Sequence, residues 1–206
     1  MLKIWGRANS SNVQKAVWIC REANLEFDRE DAGGAFGRTR DADMIARNPN
    51  ARVPTIDDDG LVLWESNAIV RYLAAKHAVG TLCPEDPGEH ADADRWMDWQ
   101  QTTVLPFMTP IFWGLVRDPD GTPRAQIDTA IATGIECWQI LDSRLEDHDW
   151  IMGDTFTMAE IPLGPQARRW FELVDDRPAM PAFEAWFERL KARPAFDAAV
   201  MAIPMT

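Results

Sequence analysis

Apolar and polar positions change rhythm along this chain, and the change divides it. Leu2, Ile4 and Gly6 alternate with Lys3 and Trp5, which predicts a short strand ended by glycine. Val13, Ala16, Val17 and Cys20 recur at helical spacing to about Asn24, and Leu25–Arg29 reads as a second strand. Asp31–Asn50 is a loop with one helical turn around Ala42–Arg47, where Met44 and Ile45 dock. Thr55-Ile56 and Leu61–Trp64 are apolar runs on either side of Asp57–Gly60, whose Asp-Gly pair is a hairpin signal. Ala68, Ile69, Tyr72 and Leu73 then have helical spacing. Residues 1–78 therefore predict an α/β layer domain with an early crossover and a late hairpin.

Val79–Gly88, with Gly, Pro, Cys and acidic residues, reads as a linker, and no strand pattern follows it. His90–Val116 predicts one long helix kinked at Pro106 and Pro110. Thr122–Glu146 predicts a second, with Ile127, Ile131, Ile135, Trp138 and Leu141 on one face, and Ala182–Leu190 and Pro194–Ala202 two short closing helices. Residues 89–206 thus form an all-α unit. Most of the ten tryptophans, Trp96, Trp138, Trp170 and Trp186 among them, fall on apolar stripes and belong to the core. Phe107, Met108, Phe112 and Trp113 are candidates for a second, apolar pocket.

The ends of these helices carry the chemistry. Ser11-x-x-Gln14 is a capping box that makes Ser11 the N-cap and leaves the Ser10 hydroxyl free near a positive helix end. Ser66 reads as the N-cap of the helix after the hairpin. Thr157 and Glu160 form another box, with Phe156 stapling to Ile161. The first N–H groups of a helix are unpaired and bind anions. Val53, held extended by Pro54, offers its backbone to an extended peptide, and Val53-Pro54 is a candidate cis bond. Residues 48–72 are therefore an anchor for a small acidic peptide.

Composition narrows the partners. With 46% apolar and 26% charged residues the chain can fill a core. A formal charge of −12 argues against nucleic acid and anionic membranes, and requires local positive potential at any anion site, for which Arg52 is a candidate. No apolar run spans a bilayer and no signal peptide is recognised, so a reduced cytoplasmic setting is expected. Cys20, Cys83 and Cys137 are far apart and the three histidines are scattered, so no metal is expected.

Taken in order, Ser10-Ser11-Asn12, Asn48-Pro49 through Arg52-Val53-Pro54, Trp64-Glu65-Ser66 and Gly153-Asp154-x-Phe156-Thr157-Met158-Ala159-Glu160 resemble the cytosolic glutathione transferase superfamily over nearly the whole chain. The resemblance implies a two-domain protein, a thioredoxin-like α/β domain with a mixed four-stranded sheet followed by an all-α bundle, assembled as a homodimer. It also implies glutathione as co-substrate, alongside a small electrophilic or hydrophobic partner. Val53 would pair with the cysteinyl unit next to cis-Pro54, and Glu65 and Ser66 would hold the γ-glutamyl end. Ser10 matches the serine of the theta, delta and zeta-like classes, and Asn12 an asparagine of some bacterial disulfide-reducing members. No tyrosine lies near the first strand and no cysteine in residues 8–12, which sets aside the tyrosine and cysteine types.

A thiol near pKa 8.5 must ionise to attack, and a hydroxyl donating to the sulfur favours the thiolate. Ser10 is assigned that donor role, not that of nucleophile. Ser10, Ser11 and Asn12 share one helical turn, and each is a candidate to meet the sulfur; helix capping alone is the competing reading of the two serines. The expected activity is thiolate attack on small electrophiles, extending to peroxide or disulfide reduction. A zeta-type maleyl-acid isomerase and a non-catalytic binding module are the alternatives, the first weakened because the Ser-Ser-Cys run of that class is absent.

Overall fold

The computed structural model describes all 206 residues. Strand β1 (Leu2–Trp5) leads into helix α1 (Ser11–Glu22), strand β2 (Phe27–Glu30) and helix α2 (Ala42–Arg47). Strands β3 (Thr55–Asp58) and β4 (Leu61–Trp64) form the hairpin, and helix α3 (Ser66–His77) follows. The sheet order is β2-β1-β3-β4, with β1 parallel to β2 and antiparallel to β3. This is a mixed four-stranded, thioredoxin-like sheet, as the strand–helix–strand crossover and hairpin require. Met44 docks on Trp5, whereas Ile45 is exposed, so only one of the two expected α2 anchors is used.

The rest is helical: α4 (Pro87–Trp99), α5 (Leu105–Phe112), α6 (Arg124–Leu145), α7 (Glu160–Leu173), α8 (Pro181–Lys191) and α9 (Pro194–Phe196). Helix α4 starts earlier than the apolar pattern suggests, because Asp86 caps it, accepting from the Gly88 and Glu89 amides. The expected single helix over 90–116 is instead three segments. Wide π turns at Gln100–Val104 and Trp113–Arg117 flank α5, and Leu105 N–H reaches Gln100 O. The cause is proline chemistry. Pro106 and Pro110 have no N–H to bond the fourth carbonyl back, so the ladder re-pairs with wider spacing beside them. Phe107 and Met108 consequently face the core, while Phe112 and Trp113 border a cavity.

Two helix starts differ from the sequence expectation by one residue. Ser10, not Ser11, is the N-cap of α1, since Gln14 N–H donates to Ser10 O at 2.9 Å. Glu65, not Ser66, precedes α3, with φ at 70°. At α7 the box is partly realised. The Glu160 carboxylate accepts from Thr157 N and Oγ1 and from Ile151 N, and Thr157 Oγ1 accepts from Ala159 N.

Helix α1 is the axle between sheet and bundle. Trp18, fully buried, meets Phe156 and Phe196 with ring centroids 5.8 and 4.7 Å apart. Glu22 receives Trp18 Nε1 and both ends of a bidentate Arg193. A Cβ on Gly164 of α7 would lie 2.6 Å from Trp18, so the two helices meet there at backbone contact. One continuous apolar core consequently joins the halves.

Candidate functional site

The loop before β3 is fixed from below by Asn48. Its buried Nδ2 donates to Arg52 O at 3.0 Å and Thr55 Oγ1 at 3.1 Å, and its Oδ1 accepts from Asn50 N. Asn48 thus ties down the residues that lead into the cis Val53-Pro54 bond. Gly6 completes the fit, for a Cβ there would meet Val13 at 2.4 Å and Val53 at 3.3 Å. Held this way, Val53 has neither its N–H nor its C=O hydrogen-bonded within the protein. An unpaired peptide edge outside the sheet is what an extended peptide needs.

Two adjoining cavities open on either side of Val53. The smaller, about 230 Å³, is bounded by Pro54, Glu65, Ser66, Asn50, Lys15 and Gln101. It lies at the α3 N-terminus, where the first amides point outward and Glu65 holds the left-handed backbone that turns the chain into the helix. The larger, about 460 Å³, takes Ser10, Ser11, Phe112, Trp113 and the arginines 7, 117 and 169. Asn12, Arg52, Val53 and Leu105 border both. All seven residues singled out from the sequence, Ser10, Asn12, Arg52, Val53, Pro54, Glu65 and Ser66, therefore lie on one of the two cavities.

At the junction the polar groups are available. The Ser10 side chain makes no cap bond, because its backbone carbonyl alone serves the helix. Ser11 Oγ is 3.5 Å from Gln166 Nε2 and thus faces α7. Asn12 Oδ1 is buried with no partner in the protein. A thiol brought here would have a hydroxyl and a helix N-terminus beside it, and both favour its ionised form.

Lys15, like Arg7, Arg117 and Arg169, is a site residue that sequence pattern did not single out. It is fully buried beneath the α3 N-terminus, donating to Gln100 Oε1 at 2.7 Å, Asn67 Oδ1 at 3.0 Å and Ser66 Oγ at 3.4 Å. Those acceptors, a hydroxyl and two amide oxygens, are neutral. Burial, with a smaller push from Arg169 and against the pull of Glu65, lowers its pKa to about 7. Asn67 also donates to Met97 O, which ties the pocket floor to α4.

Comparison with known proteins identifies the family. The family model described as glutathione S-transferase, N-terminal domain, matches residues 1–75, and that for the C-terminal domain matches residues 104–194. The chain is 37% identical to the glutathione S-transferase GstB of Escherichia coli over 199 residues, 87% of this chain and 96% of that protein. It is 30% identical to glutathione S-transferase 3 of Zea mays over 201 residues, covering 86% and 90% of the two chains. Among solved structures, a theta class glutathione S-transferase from Xanthomonas axonopodis pv. citri, with glutathione bound, superposes with a TM-score of 0.95. That pair is 44% identical over 100% of this chain and 99% of the other.

Proposed function

The chain belongs to the glutathione S-transferase family, and from that premise we propose that it transfers glutathione to small electrophiles at the junction of the two cavities. The observation that carries this reading is the unpaired Val53 peptide edge between them. Glutathione lies along Val53, its γ-glutamyl end at Glu65, Ser66 and the α3 N-terminus over Lys15. Its sulfur reaches Ser10 and Asn12, and the co-substrate enters the larger cavity. Residues 1–78 supply the glutathione half, residues 89–206 add Leu105, Thr109, Phe112, Trp113, Arg117 and Arg169 to the co-substrate cavity, and residues 79–88 link them.

Ser10 Oγ–H donates to the sulfur and stabilises the thiolate. A hydrogen bond to a charged group contributes roughly 1.5–3 kcal/mol, which lowers a thiol pKa by about one to two units. The thiolate then attacks the electrophile. Peroxide and disulfide reduction begin with the same nucleophile and are included in the proposal, as is a homodimer.

Calorimetry with glutathione, then steady-state assays with an aryl halide, a hydroperoxide and a small disulfide, tests the reading. Micromolar to millimolar binding and turnover of at least one electrophile above buffer are expected. No heat with glutathione would refute the catalytic reading and leave a binding module of the same fold.

A further inference from the structure

In a protein of net charge −12, the larger cavity is an exception. Its wall includes Arg7, Arg52, Arg117 and Arg169, and no aspartate or glutamate. Of the thirteen arginines elsewhere, ten make ion pairs within 4.0 Å and only Arg21, Arg40 and Arg177 do not, whereas none of these four does. Thirty-three carboxylates are available in the chain, so pairing was not limited by supply.

The four come from distant parts of the fold. Arg7 follows β1, Arg52 precedes the cis bond, Arg117 ends the second π turn and Arg169 is on α7. Arg7 donates to Asn9 Oδ1, and Arg117 to the main-chain oxygen of Thr206. Arg169 makes no hydrogen bond within the protein, and its guanidinium carbon lies over Phe112, 3.8 Å from the ring centroid. Burial first, then the charges of Arg117, Arg7 and Arg168, lower its pKa to about 9. Like charges gathered with no aspartate or glutamate among them repel, and a folded chain keeps them where a ligand supplies the opposite charge.

Building on the transferase reading above, we propose that the electrophile taken by the larger cavity is anionic: a small molecule whose carboxylate is held by Arg169, with Arg7 and Arg117 beside it, and whose reactive carbon faces the sulfur at Ser10 and Asn12. Phe112 and Trp113 cover its apolar part. In the step itself the thiolate sulfur forms a bond to the carbon bearing a leaving group. That group departs with the electron pair of its bond, and the thiol proton has already passed to solvent. Arginine forks orient the carboxylate and take no part in the electron flow.

A matched pair of aryl chlorides reads this out, 4-chloro-3,5-dinitrobenzoate and 4-chloro-3,5-dinitrobenzamide, each kcat/KM divided by its own rate in buffer with glutathione. The normalised preference for the carboxylate is expected to be about tenfold to a hundredfold in the wild type, the range of a charge-assisted hydrogen bond. In Arg169→Gln it falls toward one, chiefly through KM of the carboxylate. Titration of the glutathione-loaded protein with unreactive 3,5-dinitrobenzoate and its amide asks the same question without turnover. Equal or absent carboxylate preference in binding and turnover overturns the anionic co-substrate and leaves the transferase standing. Failure to bind glutathione at all refutes the transferase reading instead.

Discussion

Lys15 makes a quantitative test of the smaller cavity. Its ammonium is buried among Ser66, Asn67 and Gln100 with no counter-ion, and its pKa is about 7. A ligand carboxylate within about 4–6 Å restores roughly one to three pKa units to such a group. Binding therefore takes up a proton wherever the free protein's Lys15 is neutral and the bound one is charged. For a restoration of about two units, linkage makes affinity roughly tenfold weaker at pH 8 than at pH 6. The sign is fixed, since an anion favours the protonated lysine and binding must weaken as pH rises through about 7. S-methylglutathione is the probe to use, because its thioether removes the thiol's own titration. Calorimetry between pH 6 and 8 should show the slope in wild type and a nearly flat profile in Lys15→Met. A flat wild-type profile, or the same slope in both proteins, would refute the role given to Lys15.

Three further outcomes are expected. Ser10→Ala should lower kcat/KM at pH 7 by about tenfold to a hundredfold and move the thiol titration up by one to two units, with glutathione affinity unchanged; full activity would reassign the donor. The buried Glu160 carboxyl is raised to about 7, chiefly by desolvation, so the folded state holds a proton that the unfolded state has lost above about 4.5. Stability should thus fall from pH 5 to 7, by at most about 3 kcal/mol, and Glu160→Gln should abolish that slope in urea titrations; parallel curves would argue against it. In Gly164→Ala the new methyl would lie 2.6 Å from Trp18 Cζ3 and 2.8 Å from Phe196 Cε2, both rings being fully buried. Overpacking of this kind costs about 1–3 kcal/mol, and an unchanged urea midpoint would show that the α1–α7 contact gives way freely.

What the sequence made legible was local. The Asp-Gly hairpin, the extended residue before Pro54 and the apolar stripes of α1, α3 and α6 each follow from neighbours a few positions away. Helix starts were legible only to within a residue, because Ser10 and Ser11 are chemically equivalent as caps and tertiary packing chooses between them: Ser11 Oγ faces Gln166 of α7. The segmentation of 90–116 depended on which carbonyls the two prolines leave unpaired, and that is a question about the bundle's backbone. Lys15, Arg7, Arg117 and Arg169 were not legible at all. A charged residue beside apolar ones reads as a solvated face, and nothing local distinguishes Arg169 from Arg168, which pairs with Glu172 and the Val200 and Ile203 carbonyls.

In the proposed arrangement the arginines and the serine would act on the same sulfur from different distances. Ser10 would act by contact, with the effect of one hydrogen bond. Arg7, Arg52, Arg117 and Arg169 act through the field of the cavity, which carries no negative side chain to cancel them. A thiolate bound at the junction would be stabilised by that field before any co-substrate arrives. An anionic co-substrate then neutralises part of it, which raises the energy of the thiolate just as the electrophile comes within reach. The same charges that concentrate the nucleophile thus stop over-stabilising it once the second substrate is seated. A neutral electrophile leaves the field intact and meets a thiolate that is more abundant but less willing to react. Selectivity for charge would therefore be visible in the chemical step as well as in binding.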